Sequence, residues 1–518
     1  MRRTLLKNCL VFDGTNRKGY KSDILIEGKK IHTIYPELNT NADEIKDLNN
    51  LAVSPGFIDF HSHSDVIAAH PCPSEAKLAQ GITSEVTGNC GFGFFPVSKN
   101  SKHKQKLIQS LLTIFHIPEN SITWTDFEDY KEALKGNLSN NHIPLVPHGS
   151  LWIAASGQGY DKSSELVGSM KQLLETCMKQ GAWGLSTGLA FHPGNLSDTN
   201  EIAELCKIVA AYDGIHITHM RNESVTQEES IRETIEIAAI SKVNTEITHL
   251  KAAGNTNWGR AGHFISMIEN ARNDGLSIGA DMYPYDSSMS MITVLFPPWS
   301  LEGGFEEVYN RIQHKQSREQ IIAHIQSNID GRGGADRIVM AQNDAIIGKS
   351  LSELCRGASP AEVILDLYIE SRGTLLVFFR SMLEDDIVHI LKTPWVAIGT
   401  DGAHSPKDPI APHPRTYGTF PKILGKYVRE EKILTLEEAI YKMTYLPAQR
   451  LNLKDRGCLK ENCYADLVVF DPEKVGSGAS YQLPNAFPTG IYHVMVNGVW
   501  AVTDSKLTSN RPGKVLEK

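Results

Sequence analysis

The sequence predicts an α/β protein built on an eight-stranded, TIM-like (β/α)8 barrel with a small β-domain beside it. Apolar, strand-like runs alternate with helical stretches through the middle of the chain, which indicates βα units and a parallel sheet. Eight of these runs can be counted, the number that closes a barrel. Short alternating strands at both chain ends predict the small domain. A chain of 518 residues is long enough for both units.

Composition and charge narrow the class of protein. A hydrophobic content of 41% and a charged content of 22% are typical of an ordinary globular protein. The net charge of −8 and the lack of long basic runs argue against nucleic-acid binding. No apolar stretch reaches the ~18 residues of a membrane span, and Lys7 and Asn8 interrupt any apolar leader. We therefore expect a cytoplasmic protein whose eight cysteines are reduced.

The two ends of the chain share one strand-and-turn pattern. Residues 4–36 form short alternating runs, and residues 465–472 and 493–502 repeat the style, the latter with an Asn-Gly turn. Because an isolated hairpin is only marginally stable, we expect the two ends to pair into one domain. This predicts residues 1–54 and 455–518 for the β-domain and residues 55–454 for the barrel.

The predicted barrel strands divide the chain between these ends. The gap between the last two strands is far longer than one βα unit, so we predict an insertion at about residues 286–392 that shapes a substrate pocket. The eight strands are expected to end near His61, Cys90, His148, Ser186, His219, His249, Asp281 and Asp401.

Side chains with metal-binding chemistry collect at these strand ends. His61 and His63 are two residues apart and therefore share one face of a strand. Cys90, His219 and His249 end the second, fifth and sixth predicted strands. Because the carboxyl ends of barrel strands meet on one face, we expect these side chains to converge on a zinc site.

Three residues at these strand ends have open interpretations. Cys90, in a glycine-rich loop, could be a metal ligand or a nucleophile. Asp401 is the best candidate for an acid–base catalyst beside a metal-bound water, although it could instead cap a helix. His148 could approach the reacting carbonyl or could simply pack.

Motifs spread along nearly the whole chain resemble those of one enzyme family. They include Pro-Gly-Phe-Ile-Asp-x-His-x-His at 55–63, Asn-Cys-Gly at 89–91, His-Leu-Lys at 249–251 and His-Pro-Arg at 413–415. The first is similar to the opening motif of the amidohydrolase superfamily. Together the motifs resemble the N-acyl-D-amino-acid deacylases, or D-aminoacylases.

This resemblance implies a distorted (β/α)8 barrel and a small β-sandwich domain built from both chain ends. It implies one tightly held Zn²⁺ on Cys90, His219 and His249, and a second, weaker metal position at His61 and His63. Asp401 would be the acid–base catalyst. Many superfamily members bridge two metals with a carboxylated lysine, and the cysteine in its place speaks against a cyclic imidase.

The resemblance also implies a substrate with a free α-carboxylate. Lys251 shares the strand face of His249, the fork of Arg415 can bind a carboxylate through two hydrogen bonds, and Tyr283 supplies a hydroxyl. Ser288 is chosen from three serines that follow the Tyr-Pro-Tyr motif. The loop from Asp401 to His413 is about three residues longer than in the family, which bears on where Arg415 lies.

The expected reaction is the hydrolysis of an N-acyl-D-amino acid to a carboxylate and a free D-amino acid. Lys251 and Arg415 do not fix chirality, so an L-dipeptide, an N-acyl-L-amino acid or a cyclic amide stays an alternative. A non-catalytic member would lack ligands, and a cysteine-nucleophile hydrolase would need no metal. We expect a small-molecule substrate, no nucleic-acid or membrane partner, and a monomer or small homo-oligomer.

Overall fold

The middle of the chain forms two parallel sheets that together make up the barrel. The structure, a computed structural model, describes every residue except His70, Pro73, His116, 118–120, 157–163, Asp344 and 404–412. The first three barrel strands form one sheet, and the other five, with the short strand Val146–Pro147, form the second. In chain order the eight strands are Phe57–Asp59, Ile82–Thr87, Asn141–Pro144, Gly184–Gly188, Ile215–His219, Asn244–Ile247, Ile278–Met282 and Val396–Ile398.

Backbone hydrogen bonds join the two sheets at both margins. Phe60 N donates to Ile398 O at 3.2 Å, which links the first strand to the eighth. Trp183 N donates to Pro144 O at 3.1 Å, which links the fourth strand to the third. The strands pair continuously within each sheet, whereas scattered backbone bonds and the isolated Ser62–Gly402 bridge connect the two sheets. The predicted distorted (β/α)8 arrangement is therefore confirmed.

Helices cover the outside of the barrel. The helix Thr199–Ala211 illustrates how the sequence determines where a helix begins and which face it buries. Its N-cap residue Asp198 accepts a hydrogen bond from Glu201 N, and its buried Ile202 and Leu205 face the sheet. The helices around the barrel are Glu75–Leu78, Ser101–Phe115, Phe127–Leu134, His148–Ser156, Ser164–Lys179, Thr199–Ala211, Gln227–Ser241, Ala261–Asn273, Glu384–Lys392, Arg415–Lys422, the π-helix Ile423–Glu430, Leu436–Met443 and Tyr445–Arg450.

Strands from both chain ends form one nine-stranded sheet. Ala52–Pro55 pairs antiparallel with Leu467–Phe470 and so joins the two ends. The indole of Trp500 donates to Glu44 at 3.0 Å, so the sheet folds back over its own apolar core, as a sandwich requires. The other strands are Arg3–Val11, Tyr20–Glu27, Lys30–Tyr35, Glu44–Asp47, Ile491–Val496, Val499–Thr503 and Lys506–Leu507.

The segment between the last two barrel strands has a sheet and a core of its own. Three antiparallel strands, Ser288–Met291, Leu376–Phe379 and Ile338–Met340, lie beside four helices. Phe296 and Tyr368 pack at 4.7 Å between ring centres within this core. The sequence predicted helices here and missed the sheet. The four helices are Phe305–Gln313, Lys315–Gly331, Leu351–Cys355 and Pro360–Glu370.

Helix Glu384–Lys392 falls inside the predicted insertion range but packs on the barrel. Its buried Asp386 accepts hydrogen bonds from the backbone N–H groups of Gly259 and Ala261, at 2.8 and 3.1 Å. The predicted limits of the insertion and of the two domains stay predictions. Within the described ranges, no helix has the length and apolar character needed to cross a bilayer.

Candidate active site

The structure brings together all five side chains predicted as metal ligands. Cys90 Sγ lies 3.4 Å from His61 Nε2, 3.6 Å from His219 Nδ1 and 3.7 Å from His249 Nε2. His63 forms a second group with His61 and Cys90, whose possible ligand atoms lie within 4.8 Å of one another. These residues follow the carboxyl ends of four different barrel strands, so the barrel fold itself produces the cluster.

The distances among Cys90, His219 and His249, which form the first group, fit a zinc ion. In a tetrahedral site, Zn–S and Zn–N bonds of usual length place sulfur and nitrogen about 3.6 Å apart. The separations of Cys90 from His219 and His249 are 3.6 and 3.7 Å. Burial opposes ionisation of the Cys90 thiol, but the neighbouring imidazoles hold its pKa well below the usual range. A thiolate is the form of cysteine that binds metal.

The backbone is left-handed at two of the predicted ligands and at Asp401. Cys90, His249 and Asp401 have φ values of 54°, 35° and 50°. Residues with a Cβ adopt this conformation at a cost of about 1–3 kcal/mol each, and such residues concentrate at functional sites. Gly91, beside the cysteine, approaches the fourth barrel strand so closely that a Cβ would lie 2.8 Å from Gly188 N.

Asp401 lies between the two metal groups and a cation. Its Oδ1 is 3.2 Å from His63 Nε2 and 3.5 Å from His61 Nε2, and its Oδ2 is 2.8 Å from Arg415 Nη1. Burial alone would raise the pKa of this carboxyl, but Arg415 and His61 hold the pKa well below its usual range. Gly402 pairs with Ser62 in a β-bridge, so the alternative of a helix cap at Asp401 does not hold.

The four predicted substrate contacts line one cavity together with His63, Cys90, His219 and His249. This cavity has a volume of about 630 Å³ and is bordered by Lys251, Tyr283, Ser288 and Arg415. The ring of Tyr283 lies 4.9 Å from the Arg415 guanidinium and 6.0 Å from Lys251 Nζ. These four residues therefore offer two cations and two hydroxyl groups to an anionic ligand.

Hydrogen bonds through His413 hold the backbone of Arg415 in position. Its backbone N–H donates to His413 Nδ1 at 3.1 Å, and His413 Nε2 donates to the Ser287 carbonyl at 2.9 Å. This chain of hydrogen bonds fixes the arginine against the start of the insertion. The loop predicted to be longer than in the family falls on residues 404–412, which lie outside the described residues.

Glu223 is a functional candidate that the sequence did not single out. Its Oε1 lies 2.9 Å from His249 Nδ1, and its Oε2 lies 2.6 Å from Lys251 Nζ. His219 Nε2 is 3.7 Å away. A carboxylate on the outer nitrogen of a ligating histidine fixes the ring orientation and strengthens metal binding. The only signal in the sequence was the position of Glu223, four residues after the predicted ligand His219.

Asp281, on the seventh barrel strand, also contacts two of the predicted metal ligands and helps to hold them in place. Its Oδ1 accepts the backbone N–H of His249 at 2.9 Å, and its Oδ2 lies 3.5 Å from His61 Nδ1. The sequence identified it only as a strand end.

His148 lies away from the cluster of metal ligands. It starts the helix His148–Ser156, is buried, and lies 3.5 Å from Glu201. It is not among the described residues that line the cavity, so the structure favours the packing role over a contact with the reacting carbonyl.

A buried lysine lies beneath the site. Lys77 is fully buried, and its Nζ lies 2.6 Å from Asp59 Oδ2, 3.2 Å from Glu85 Oε2 and 2.7 Å from Thr400 Oγ1. Asp59 also accepts the backbone N–H of Thr400. This network joins the first and second barrel strands to the segment that follows the eighth strand, next to His61 and Asp401.

We expect Lys77→Met to lower the free energy of unfolding by about 3–5 kcal/mol, because it leaves two buried carboxylates uncompensated. Urea denaturation measures this. Lys135→Met is the matched control, since this lysine pairs with Glu132 at 2.9 Å on the surface and should contribute little. Equal stability of the two variants would contradict the structural role of Lys77.

A cavity at the carboxyl rim of a (β/α)8 barrel, lined by a thiol, imidazoles and a carboxylate, defines a metal-binding barrel protein. The Amidohydrolase family matches residues 44–345 and 357–501, and the chain belongs to this family. It is 31% identical to an N-acyl-D-glutamate deacylase of Alcaligenes xylosoxydans xylosoxydans, over 98% of this chain and 95% of the relative. A D-aminoacylase of the same organism is also 31% identical, over 99% and 97% of the two chains.

Solved structures agree with this assignment. One is an N-acyl-D-glutamate deacylase from Bordetella bronchiseptica, complexed with zinc and a phosphonate inhibitor that mimics the tetrahedral intermediate. It has a TM-score of 0.83 and 27% identity, and the match covers 99% of both chains. A D-aminoacylase described as having a binuclear metal centre also gives a TM-score of 0.83, with 29% identity over 99% of both chains. The resemblance predicted from the motifs is confirmed.

Proposed function

We propose that this chain is a zinc-dependent hydrolase that cleaves the amide bond of N-acyl-D-amino acids into a carboxylate and a free D-amino acid. The observation that carries the proposal is one cavity that combines a Cys–His–His donor set, the ionised Asp401 and a pair of cations, Lys251 and Arg415. The names of the relatives, N-acyl-D-glutamate deacylase and D-aminoacylase, support the same substrate class.

Cys90, His219 and His249 would hold one zinc ion tightly. His61 and His63, beside Cys90, would form a second and weaker position. A related D-aminoacylase structure is described by one-metal activation and second-metal attenuation, which supports unequal sites. When bound, zinc polarises the acyl carbonyl and makes an attacking water more acidic.

Asp401 would carry the proton in this reaction. Its carboxylate accepts a proton from the attacking water and returns it to the amine nitrogen as the amide bond breaks. Arg415 keeps Asp401 ionised before the reaction, which is the state that a general base needs.

The substrate α-carboxylate would bind between Arg415, Lys251, Tyr283 and Ser288. Arg415 Nη1 faces Asp401, while its Nε is buried and has no hydrogen-bond partner in the described part of the chain, so the fork has donors left for a ligand. Lys251 already pairs with Glu223, and it can share its three donors between that carboxylate and the substrate.

The test is hydrolysis of paired N-acetyl-D- and N-acetyl-L-amino acids by purified protein, before and after chelation and zinc add-back. The proposal expects zinc-dependent release of amino acid from the D series. Zinc-dependent activity on the L series or on cyclic amides alone would retain the metal site and refute the substrate. Activity that survives complete metal removal would identify Cys90 as a nucleophile instead.

A further inference from the structure

One arginine in the cavity has no part in the proposed reaction. Arg332 follows the insertion helix Lys315–Gly331 and lines the same cavity as Lys251 and Arg415. Its guanidinium lies 4.4 Å from the ring centre of Phe379, and its Nε is buried without a hydrogen-bond partner among the described residues. The residue as a whole is half-buried, and a partly desolvated guanidinium is stabilised by an anion in contact with it.

The backbone of the insertion fixes this arginine beside the loop that carries Lys251. Asn255 N donates to Gly331 O at 3.2 Å, and Asn255 Nδ2 donates to Asp330 O at 3.1 Å. Gly254 packs so tightly here that a Cβ would lie 2.6 Å from the Gly331 carbonyl. Arg332 therefore has a defined position relative to the predicted carboxylate-binding residues.

The described residues offer no unpaired carboxylate as a partner for this arginine. Within the described part of the chain, Glu223 is the carboxylate whose charge reaches Arg332, and it is already paired with Lys251 at 2.6 Å and His249 at 2.9 Å. Burial lowers the pKa of the Arg332 guanidinium to about 10, and Glu223 opposes this shift, so the group stays cationic at neutral pH.

We propose that Arg332 determines specificity by binding a second substrate carboxylate, the one that ends the side chain of D-glutamate or D-aspartate. The proposal rests on the proposed function, because the α-carboxylate and the acyl amide occupy the Lys251–Arg415 end of the cavity. Stacking on Phe379 leaves the edge of the planar fork open for a carboxylate, which it binds through two parallel hydrogen bonds.

The first experiment uses the zinc-loaded wild-type enzyme and isosteric substrate pairs. We expect kcat/KM for N-acetyl-D-glutamate to exceed that for N-acetyl-D-glutamine, or the value for N-acetyl-D-aspartate to exceed that for N-acetyl-D-asparagine, by roughly 30-fold or more. The pair with the larger ratio identifies the side-chain length. Similar rates within both pairs, or a preference for the amides, would overturn the proposal.

The second experiment removes the charge. Arg332→Met should reduce that acid-to-amide ratio to about 1 while hydrolysis of N-acetyl-D-methionine continues. Arg372→Met is the matched control, because this arginine of the same insertion stacks on Phe305 at 4.3 Å but is exposed and pairs with Glu306. It should leave the ratio unchanged, and an unchanged ratio in Arg332→Met would refute the role of Arg332.

The two proposals fail in different ways. If no N-acetyl-D-amino acid is hydrolysed by zinc-loaded wild-type protein, the proposed function itself is wrong. If neutral D-substrates react and the acids have no advantage, the function stands and the specificity proposal falls. If Arg332→Met does not fold, the wild-type substrate pairs and the charge-reversed Arg332→Glu, which should come to favour N-acetyl-D-lysine over N-acetyl-D-glutamate, still decide the question.

Discussion

Asp401→Asn is expected to lower kcat for N-acetyl-D-amino acids by about 10²- to 10⁴-fold, the usual contribution of a general acid–base group. The asparagine side chain keeps the size of Asp401 and still reaches His63 and Arg415, but it cannot accept the proton of water at neutral pH. Steady-state kinetics on the best D-substrate, together with the zinc content of the purified variant, measure the effect.

We expect zinc to stay bound in this variant, because Cys90, His219 and His249 are unchanged. The prediction applies to the zinc-loaded variant. Asp385→Asn is the control for the loss of one negative charge, since this aspartate is exposed in the first turn of a barrel helix. An Asp401→Asn enzyme that retains its zinc and near wild-type kcat would remove this residue from the reaction.

The parts of the site that could be predicted from sequence are those fixed by the barrel. His219 and His249 follow successive strands of one parallel sheet, so the spacing of βα units alone predicts that they meet on one rim. His61 and His63 lie on one face by the alternation of a strand. Cys90 is predicted as a member of the cluster for the same reason, although its role as ligand or nucleophile is not.

The parts that could not be predicted depend on partners far away in the chain. Lys77 contacts Asp59 and Thr400, and nothing near Lys77 in the sequence indicates that it is buried. Glu223 and Arg332 look like surface charges until the fold brings them to the cavity. The half-buried strand Ser288–Met291 has weak strand character, and it forms because it pairs with Leu376–Phe379, which follows almost ninety residues later.

A substitution at Cys90 distinguishes its two possible roles, metal ligand and nucleophile, and is expected to have a large effect on activity. We expect Cys90→Ser to lose the tightly bound zinc and to reduce kcat/KM by about 10³-fold or more, because several kcal/mol of transition-state stabilisation depend on the metal. Serine keeps the shape of cysteine but is not ionised at neutral pH and binds zinc poorly. Metal analysis after dialysis and zinc titration of activity provide the measurement.

Cys177→Ser is the matched control, because that thiol is buried within a barrel helix and burial raises its pKa to about 12. It should retain one zinc per chain and wild-type kinetics, whatever it costs in stability. A Cys90→Ser protein that keeps its zinc and yet is inactive would mean that the sulfur attacks the substrate. The distances of 3.6 and 3.7 Å to His219 and His249 favour the other outcome, since they match donors that share one ion.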